Sequence, residues 1–136
     1  MSDIPFHLLR SYFMTPAGYT TVSPYLIVSD APAHQRFLRD LFDAELVRSM
    51  TRENGSVMHS ELRIGDSLVM LADAMEDWPA SPAHLHVYVD DVDAVYAKAL
   101  TAGATEVMPP AQKGDPDKRG GFLLDGVTWW VATRIE

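Results

Sequence analysis

Two stretches of sequence decide the fold: YLIVSDAPAHQRFLRDLFDAELV at 25–47 and HVYVDDVDAVYAKALTAGATEV at 86–107. Each begins with a short run of strand-forming residues and continues through an acidic helix start into apolar residues at helical spacing. Each ends in a second apolar run that reads as another strand. A repeat of about sixty residues predicts two similar supersecondary units, and neither unit can cover its apolar sheet face alone. The two units are therefore expected to belong to one domain.

Two further strands follow each repeat. In the first half, VMHSELRI (57–64) alternates in polarity after an Asn-Gly hairpin signal, and LVMLAD (68–73) comes next. In the second half, FLLDG (122–126) turns into TWWVATRIE (128–136). The predicted fold is α+β, a single domain over 1–136 built from two tandem βαβββ modules. Its parts are an N-terminal segment (1–22), a first module (23–75), a linker (76–83) and a second module (84–136).

Composition excludes several classes of function. The 136 residues carry a formal net charge of −8, which disfavours nucleic acid and anionic membranes as partners. The chain has no cysteine, so it has no disulfides and no thiolate chemistry. The first residues, MSDIPFHLLRSYFM, do not resemble a signal peptide, and no apolar stretch approaches the ~20 residues that span a bilayer. A cytoplasmic location is expected.

A pair of histidines opens the second half of the chain. His84 and His86 stand two apart in a predicted strand, so they share one face, and the apolar residues between and after them face the helices. The same alternation places His59 and Glu61 on the corresponding face of the first half. Imidazoles and carboxylates on one face serve as metal ligands or as general acids and bases. These four residues are the candidate catalytic groups.

Aromatic residues and methionines are expected on the same faces. Trp130 offers a flat apolar wall for a planar ligand, although it also fits a core position at a dimer seam. The candidate ligand-binding residues are Tyr25, His59, Glu61, Met70, His84, His86, Tyr88 and Trp130. The segment AQKGDPDKRGG (111–121) is predicted to be a polar surface loop or a mobile lid that attracts an anion.

The chain resembles a known superfamily from about residue 20 to its end. The stretches VSPYLIVSDAPAHQRFLRDLFDAELV, VMHSELRIGDSLVMLAD, HVYVDDVDAVYAKALTAGATEV and GGFLLDGVTWWVATRIE resemble the glyoxalase, bleomycin-resistance and extradiol-dioxygenase superfamily, also called vicinal oxygen chelate proteins. The resemblance is greatest to a glyoxalase-like branch named after a gene of a phosphonate-utilisation operon. It implies curved mixed sheets around a cleft and a homodimer.

The resemblance also implies where a metal would bind. Metal-dependent members hold a divalent ion with side chains from the first and last strands of each module. Matched by register, those positions here are Ser23, Met70, His84 and Trp130, of which only His84 is a usual ligand. No metal and no other cofactor is therefore expected. The alternative is one divalent ion on a displaced set formed by the four candidate catalytic groups.

Two functions from different classes remain open. The first is a dimeric protein that binds a hydrophobic or planar small molecule without metal, as bleomycin-resistance proteins act by binding alone. The second is a lyase, isomerase or dioxygenase-type enzyme that uses His59, Glu61, His84 and His86, either through a metal or by acid–base catalysis. The sequence does not decide whether the chain is an enzyme, and it does not name the ligand.

Overall fold

The computed structural model describes residues 14–136, and its elements follow the predicted order. The first module comprises β1 (Tyr25–Val28), α1 (Ala31–Phe42), β2 (Glu45–Thr51), β3 (Val57–Ile64) and β4 (Ser67–Asp73). The second comprises β5 (Ala83–Tyr88), α2 (Val92–Thr101), β6 (Thr105–Gln112), β7 (Asp117–Leu124) and β8 (Val127–Arg134). The α+β fold of two tandem βαβββ modules is confirmed.

Two expectations concern a signal peptide and a membrane-spanning segment. The expected lack of a signal peptide rests mainly on residues 1–13, which lie outside the described residues. Among the residues that are described, no helix is long and apolar enough to cross a membrane.

Each module folds into one mixed four-stranded sheet. The strand orders are β1-β4-β3-β2 and β5-β8-β7-β6, and neither sheet closes into a barrel. In each sheet the first strand pairs in parallel with the last, while the other pairs are antiparallel. The parallel pairing requires the long crossover that the helix and two strands supply.

Aspartates start both helices. Asp30 caps α1, with its Oδ1 accepting the Ala33 N–H at 3.0 Å, and Asp91 caps α2 by accepting the Ala94 N–H at 3.1 Å. These bonds satisfy N–H groups that have no partner within the helix. The acidic residues at the helix starts are thus explained by capping.

The two modules share one core. Helix α1 packs on its own sheet and also reaches the second sheet, where the ring centroids of Phe37 and Phe122 are 5.8 Å apart. The indole N–H of Trp129 donates to Nε2 of the buried His34 at 3.1 Å. The helix-side faces of both sheets therefore line a common interior. We call the opposite face of each sheet its outer face.

Strand β5 shows the predicted alternation. Leu85, Val87 and Val89 pack against the shared core, whereas His84 and His86 are exposed on the outer face. Period-two geometry and a one-sided apolar pattern are sufficient to set this register.

The prediction of a loop at 111–121 is wrong for most of that segment. Strand β6 continues to Gln112 and β7 already begins at Asp117, which leaves only residues 113–116 as a connection. The Arg119 guanidinium donates to Asp115 and Asp117 at 2.9 and 3.0 Å and so ties this connection to the sheet. Residues 117–121 are therefore part of a paired strand and do not form a mobile lid.

Candidate functional site

The candidate residues form two groups on different sheets. On the outer face of the first sheet, Met70 pairs with Tyr25 on one side and with Glu61 on the other. On the second sheet, His84 and His86 pair with Thr128 and Trp130 of β8. Both faces point away from the shared core. Within one chain, the structure therefore does not bring the pair His59 and Glu61 together with the pair His84 and His86.

The carboxylate of Glu61 is the buried centre of the first group. The residue is only 4% exposed, and its carboxylate accepts hydrogen bonds from the Tyr19 hydroxyl and from His59 Nε2, the latter at 2.9 Å. Burial is the largest single effect and raises the pKa of Glu61, but the bonds from Tyr19 and His59, together with nearby positive charge such as that of Arg48, lower the pKa below its usual value. The carboxylate is thus held ionised.

The hydrogen bonds of His59 fix its tautomer. An ionised Glu61 can only accept, so Nε2 carries a proton, and in the neutral imidazole Nδ1 is then an acceptor. Nδ1 receives the hydroxyl of Tyr25 at 3.0 Å. The ring of Trp78 lies over Tyr25 with centroids 6.2 Å apart and planes inclined by 21°. A chain of donors therefore runs from an exposed phenol to a buried carboxylate.

Trp130 and His84 form a flat surface on the second sheet. The indole N–H of Trp130 donates to His84 Nδ1 at 3.2 Å, and the ring planes differ by only 12°. The imidazole lone pair lies in the plane of its ring, so this bond joins the two rings edge to edge. The centroid separation of 6.4 Å agrees with two nearly coplanar neighbours. Together the rings present one extended aromatic face.

Gly121 makes room for this surface. A Cβ atom at Gly121 would lie 2.6 Å from Cε3 of Trp130, closer than any side-chain carbon can approach. The indole therefore lies flat across the backbone of β7 because its cross-strand neighbour has no side chain. Sequence reasoning missed this residue as part of the site. The available signal was a glycine within a segment flanked by strands, which marks close approach of another group.

Arg119 is a second residue that sequence reasoning did not place in the site. Its Nε–H donates to His86 Nε2 at 3.0 Å. Burial and the Arg119 charge both lower the pKa of His86, so the imidazole is neutral and carries its proton on Nδ1. Tyr88 donates to Asp117 at 2.8 Å beside it. His86 therefore offers a hydrogen-bond donor and has no free acceptor nitrogen.

Cavities border both groups. One of about 500 Å³ lies beside Glu61, between the N-terminal segment and the first sheet, and is also lined by Arg48 and Met70. Another of about 530 Å³ lies between the β3–β4 turn and β5, and His84, His86 and Tyr88 contribute to its wall. Both volumes are in the range of small-molecule sites.

The four positions that the family uses for metal do not fit a divalent ion in one chain. Ser23 is hydrogen-bonded to Thr20 at 2.9 Å, and Met70 offers only a thioether. A neutral histidine that binds metal through one nitrogen carries a proton on the other, but Nδ1 of His84 is already the acceptor for Trp130. Nowhere in residues 14–136 do three or more His, Asp or Glu side chains group in a way that could hold a metal ion.

Comparison with known proteins identifies the family. The model described as the Glyoxalase/Bleomycin resistance protein/Dioxygenase superfamily matches residues 15–131. An uncharacterized protein of Mycobacterium bovis is 36% identical over 97 residues, which cover 63% of this chain and 64% of that protein. A protein of Mycobacterium tuberculosis matches at the same identity over 57% of its length. The match thus spans less than two thirds of these relatives.

Solved structures share the fold at low sequence identity. TioX from Micromonospora superposes with a TM-score of 0.68 at 22% identity, covering 85% of this chain and 98% of that one. The PhnB protein from Bacillus cereus gives 0.67 at 19% identity, covering 84% and 99%. A glyoxalase I variant from Zea mays gives 0.67 at 16% identity, covering 84% of this chain and 44% of that one. At these identities the likeness establishes the fold alone.

Proposed function

The chain belongs to the glyoxalase/bleomycin resistance protein/dioxygenase superfamily, and on that premise we propose that it binds a flat, largely apolar small molecule without using a metal ion. The observation that carries the proposal is the coplanar pair of Trp130 and His84 lying over Gly121. A fused aromatic ring system is the ligand shape that covers such a surface best. Contact with an aromatic ligand adds about 0.5–1.5 kcal/mol beyond the burial of area.

Polar groups around the flat surface would orient the ligand. With Nδ1 of His84 occupied by Trp130, its Nε2 carries the proton and is a donor. Nδ1 of His86 is a second donor because Arg119 occupies the other nitrogen. An apolar floor with a few donors at its edge is the usual composition of a small-molecule site. Such a rim favours a planar ligand that carries acceptor atoms.

A homodimer would complete the site. The outer faces of the two sheets point in different directions from the shared core, and each exposes aromatic side chains, among them Tyr25 and Tyr88. A second copy related by a two-fold axis can place its first sheet opposite the second sheet of its partner. That arrangement gives two equivalent clefts, each lined by both groups of candidate residues. The absence of cysteine supports a cytoplasmic location for the dimer.

Binding of acridine, a flat three-ring probe, tests the proposal. We expect Trp130→Ala to weaken binding at least about tenfold because the floor of the site is lost. Gly121→Ala should weaken it as well, since the added Cβ would push the indole off the sheet. Affinities are measured by calorimetry, with circular dichroism as a check on folding.

The matched control is Ile135→Ala, which removes an exposed apolar side chain just beyond the end of β8. Its affinity for acridine should stay within about twofold of the wild type, as for a residue outside the contact surface. Equal affinities for wild type and Trp130→Ala, or no binding by the wild type, would contradict the proposal.

A further inference from the structure

We propose that the outer face of the first sheet is a proton-transfer site, in which Tyr25 is the catalytic group, His59 accepts its proton and Glu61 positions His59. This activity goes beyond ligand binding. Three polar side chains from β1 and β3 carry the inference, since with a neutral His59 the hydrogen bonds run from Tyr25 to His59 and from His59 to Glu61.

The buried carboxylate sets the direction of the hydrogen bond from His59, and a neutral His59 then accepts from Tyr25. Glu61 accepts from His59 Nε2 at 2.9 Å, and His59 Nδ1 accepts from Tyr25 at 3.0 Å. Tyr19 donates to the other oxygen of Glu61, so that carboxylate is fully engaged and fixed. This is the order of a carboxylate–imidazole–hydroxyl relay, with a phenol in the outermost place.

Exposure along the relay follows the same order. Glu61 is 4% exposed, His59 is partly buried, and Tyr25 is 41% exposed. The phenol is therefore the member of the relay that is most open to a bound molecule. The nearby Trp78 ring gives the approach to Tyr25 a flat apolar wall. The molecule that fits combines an aromatic ring with the atom that exchanges a proton.

The chemical step is a balanced proton transfer. The hydroxyl proton of Tyr25 moves to Nδ1 of His59, and the resulting imidazolium is stabilised by the Glu61 carboxylate. The phenolate oxygen then takes a proton from the carbon next to the carbonyl group of the substrate, which leaves an enolate. Reversal of both transfers returns a proton to the same carbon or to another position of the enolate. The substrate class is an aromatic compound with an enolisable carbonyl group.

On the second sheet, a tyrosine is bonded directly to a carboxylate, with no histidine between them. There Tyr88 donates directly to Asp117 at 2.8 Å, and His86 is bonded to Arg119 instead. A cation at the imidazole opposes proton uptake. The described residues thus contain two neighbouring tyrosine–histidine pairs, Tyr25 with His59 and Tyr88 with His86. Only in the first pair is the phenol hydrogen-bonded to a ring nitrogen of the histidine.

Exchange of the α-protons of phenylacetone in deuterium oxide tests the proposal. Nuclear magnetic resonance follows the loss of the α-proton signal of phenylacetone at neutral pH. We expect the wild type to accelerate exchange at least about tenfold over buffer, and Tyr25→Phe to reduce the rate to background. Glu61→Gln should lower the rate at saturating phenylacetone without changing KM, because it acts through His59.

The matched control is Tyr96→Phe, which removes the hydroxyl of another tyrosine bonded to a carboxylate, Glu106, at 2.6 Å on the helix side. Its exchange rate should equal that of the wild type. Exchange by the wild type no faster than by Tyr25→Phe, or no acceleration at all, would overturn the relay. Acridine affinity measured on the same proteins separates this outcome from failure of the binding proposal.

Discussion

Phe122→Asp is expected to leave the chain unfolded at neutral pH. Phe122 is fully buried, and its ring contacts Phe37 of α1 and Tyr96 of α2 at centroid distances of 5.8 and 6.3 Å. Removing the ring and burying an unpaired carboxylate costs about 5 kcal/mol or more. That is comparable to the whole stability of a typical domain, about 5–15 kcal/mol. Circular dichroism and urea unfolding measure the loss.

The next residue in the same strand is the control. Leu123 lies on the outer face of β7 opposite Thr128 and is 37% exposed. Leu123→Asp introduces the same charge one residue away but leaves the core intact, so it should change the free energy of unfolding by about 1 kcal/mol or less. Similar losses for both substitutions would show that the outer face also supports the fold.

Acid should destabilise the protein through His34. This residue is 1% exposed, and burial lowers its pKa to about 4, only partly offset by the charge of Asp125. The unfolded chain binds a proton near pH 6.5, whereas the folded chain does so only near pH 4. Stability is therefore fully present above pH 6.5 and falls as the pH drops toward 4. The loss is about 3 kcal/mol.

Urea unfolding of His34→Gln between pH 7.5 and 4.5 isolates this contribution. Glutamine can accept the Trp129 N–H but cannot be protonated in this range, so both proteins share every other acid-sensitive group. The difference in unfolding free energy between wild type and variant should shrink by about 2–3 kcal/mol on acidification. Parallel curves would contradict the assignment.

The sequence was sufficient to predict the elements of the fold because local rules set them. The repeat, Asp30 at the start of α1 and the hairpin signal before β3 act over a few residues, and the structure agrees with them. Strand β7 was predicted to be mostly loop because charged residues and two glycines are typical of loops. Its pairing with β8 is a tertiary interaction that overrides this local preference.

For the site, the alternation of polar and apolar residues predicted which face of a strand each side chain occupies, but not its hydrogen-bond partners. It placed His84 and His86 correctly on one side of β5. Their bonds to Trp130 and Arg119 join residues 46 and 33 positions apart, which no local pattern reveals. Whether the pair His59 and Glu61 meets the pair His84 and His86 depends on how the two sheets face each other. Trp129 and Phe37 fill the space between the modules, so both outer faces are turned away from it.

The most direct test of a metal-free site is elemental analysis of protein purified without a chelator. To bind a metal ion through Nε2, a neutral His84 would need a proton on Nδ1, but Nδ1 accepts the hydrogen bond from Trp130. Ser23 and Met70 are poor ligands for such an ion. We therefore predict well below one equivalent of zinc, nickel, manganese or iron per chain, in wild type and in His84→Ala alike. One tightly held ion per chain that is lost in His84→Ala would contradict this prediction.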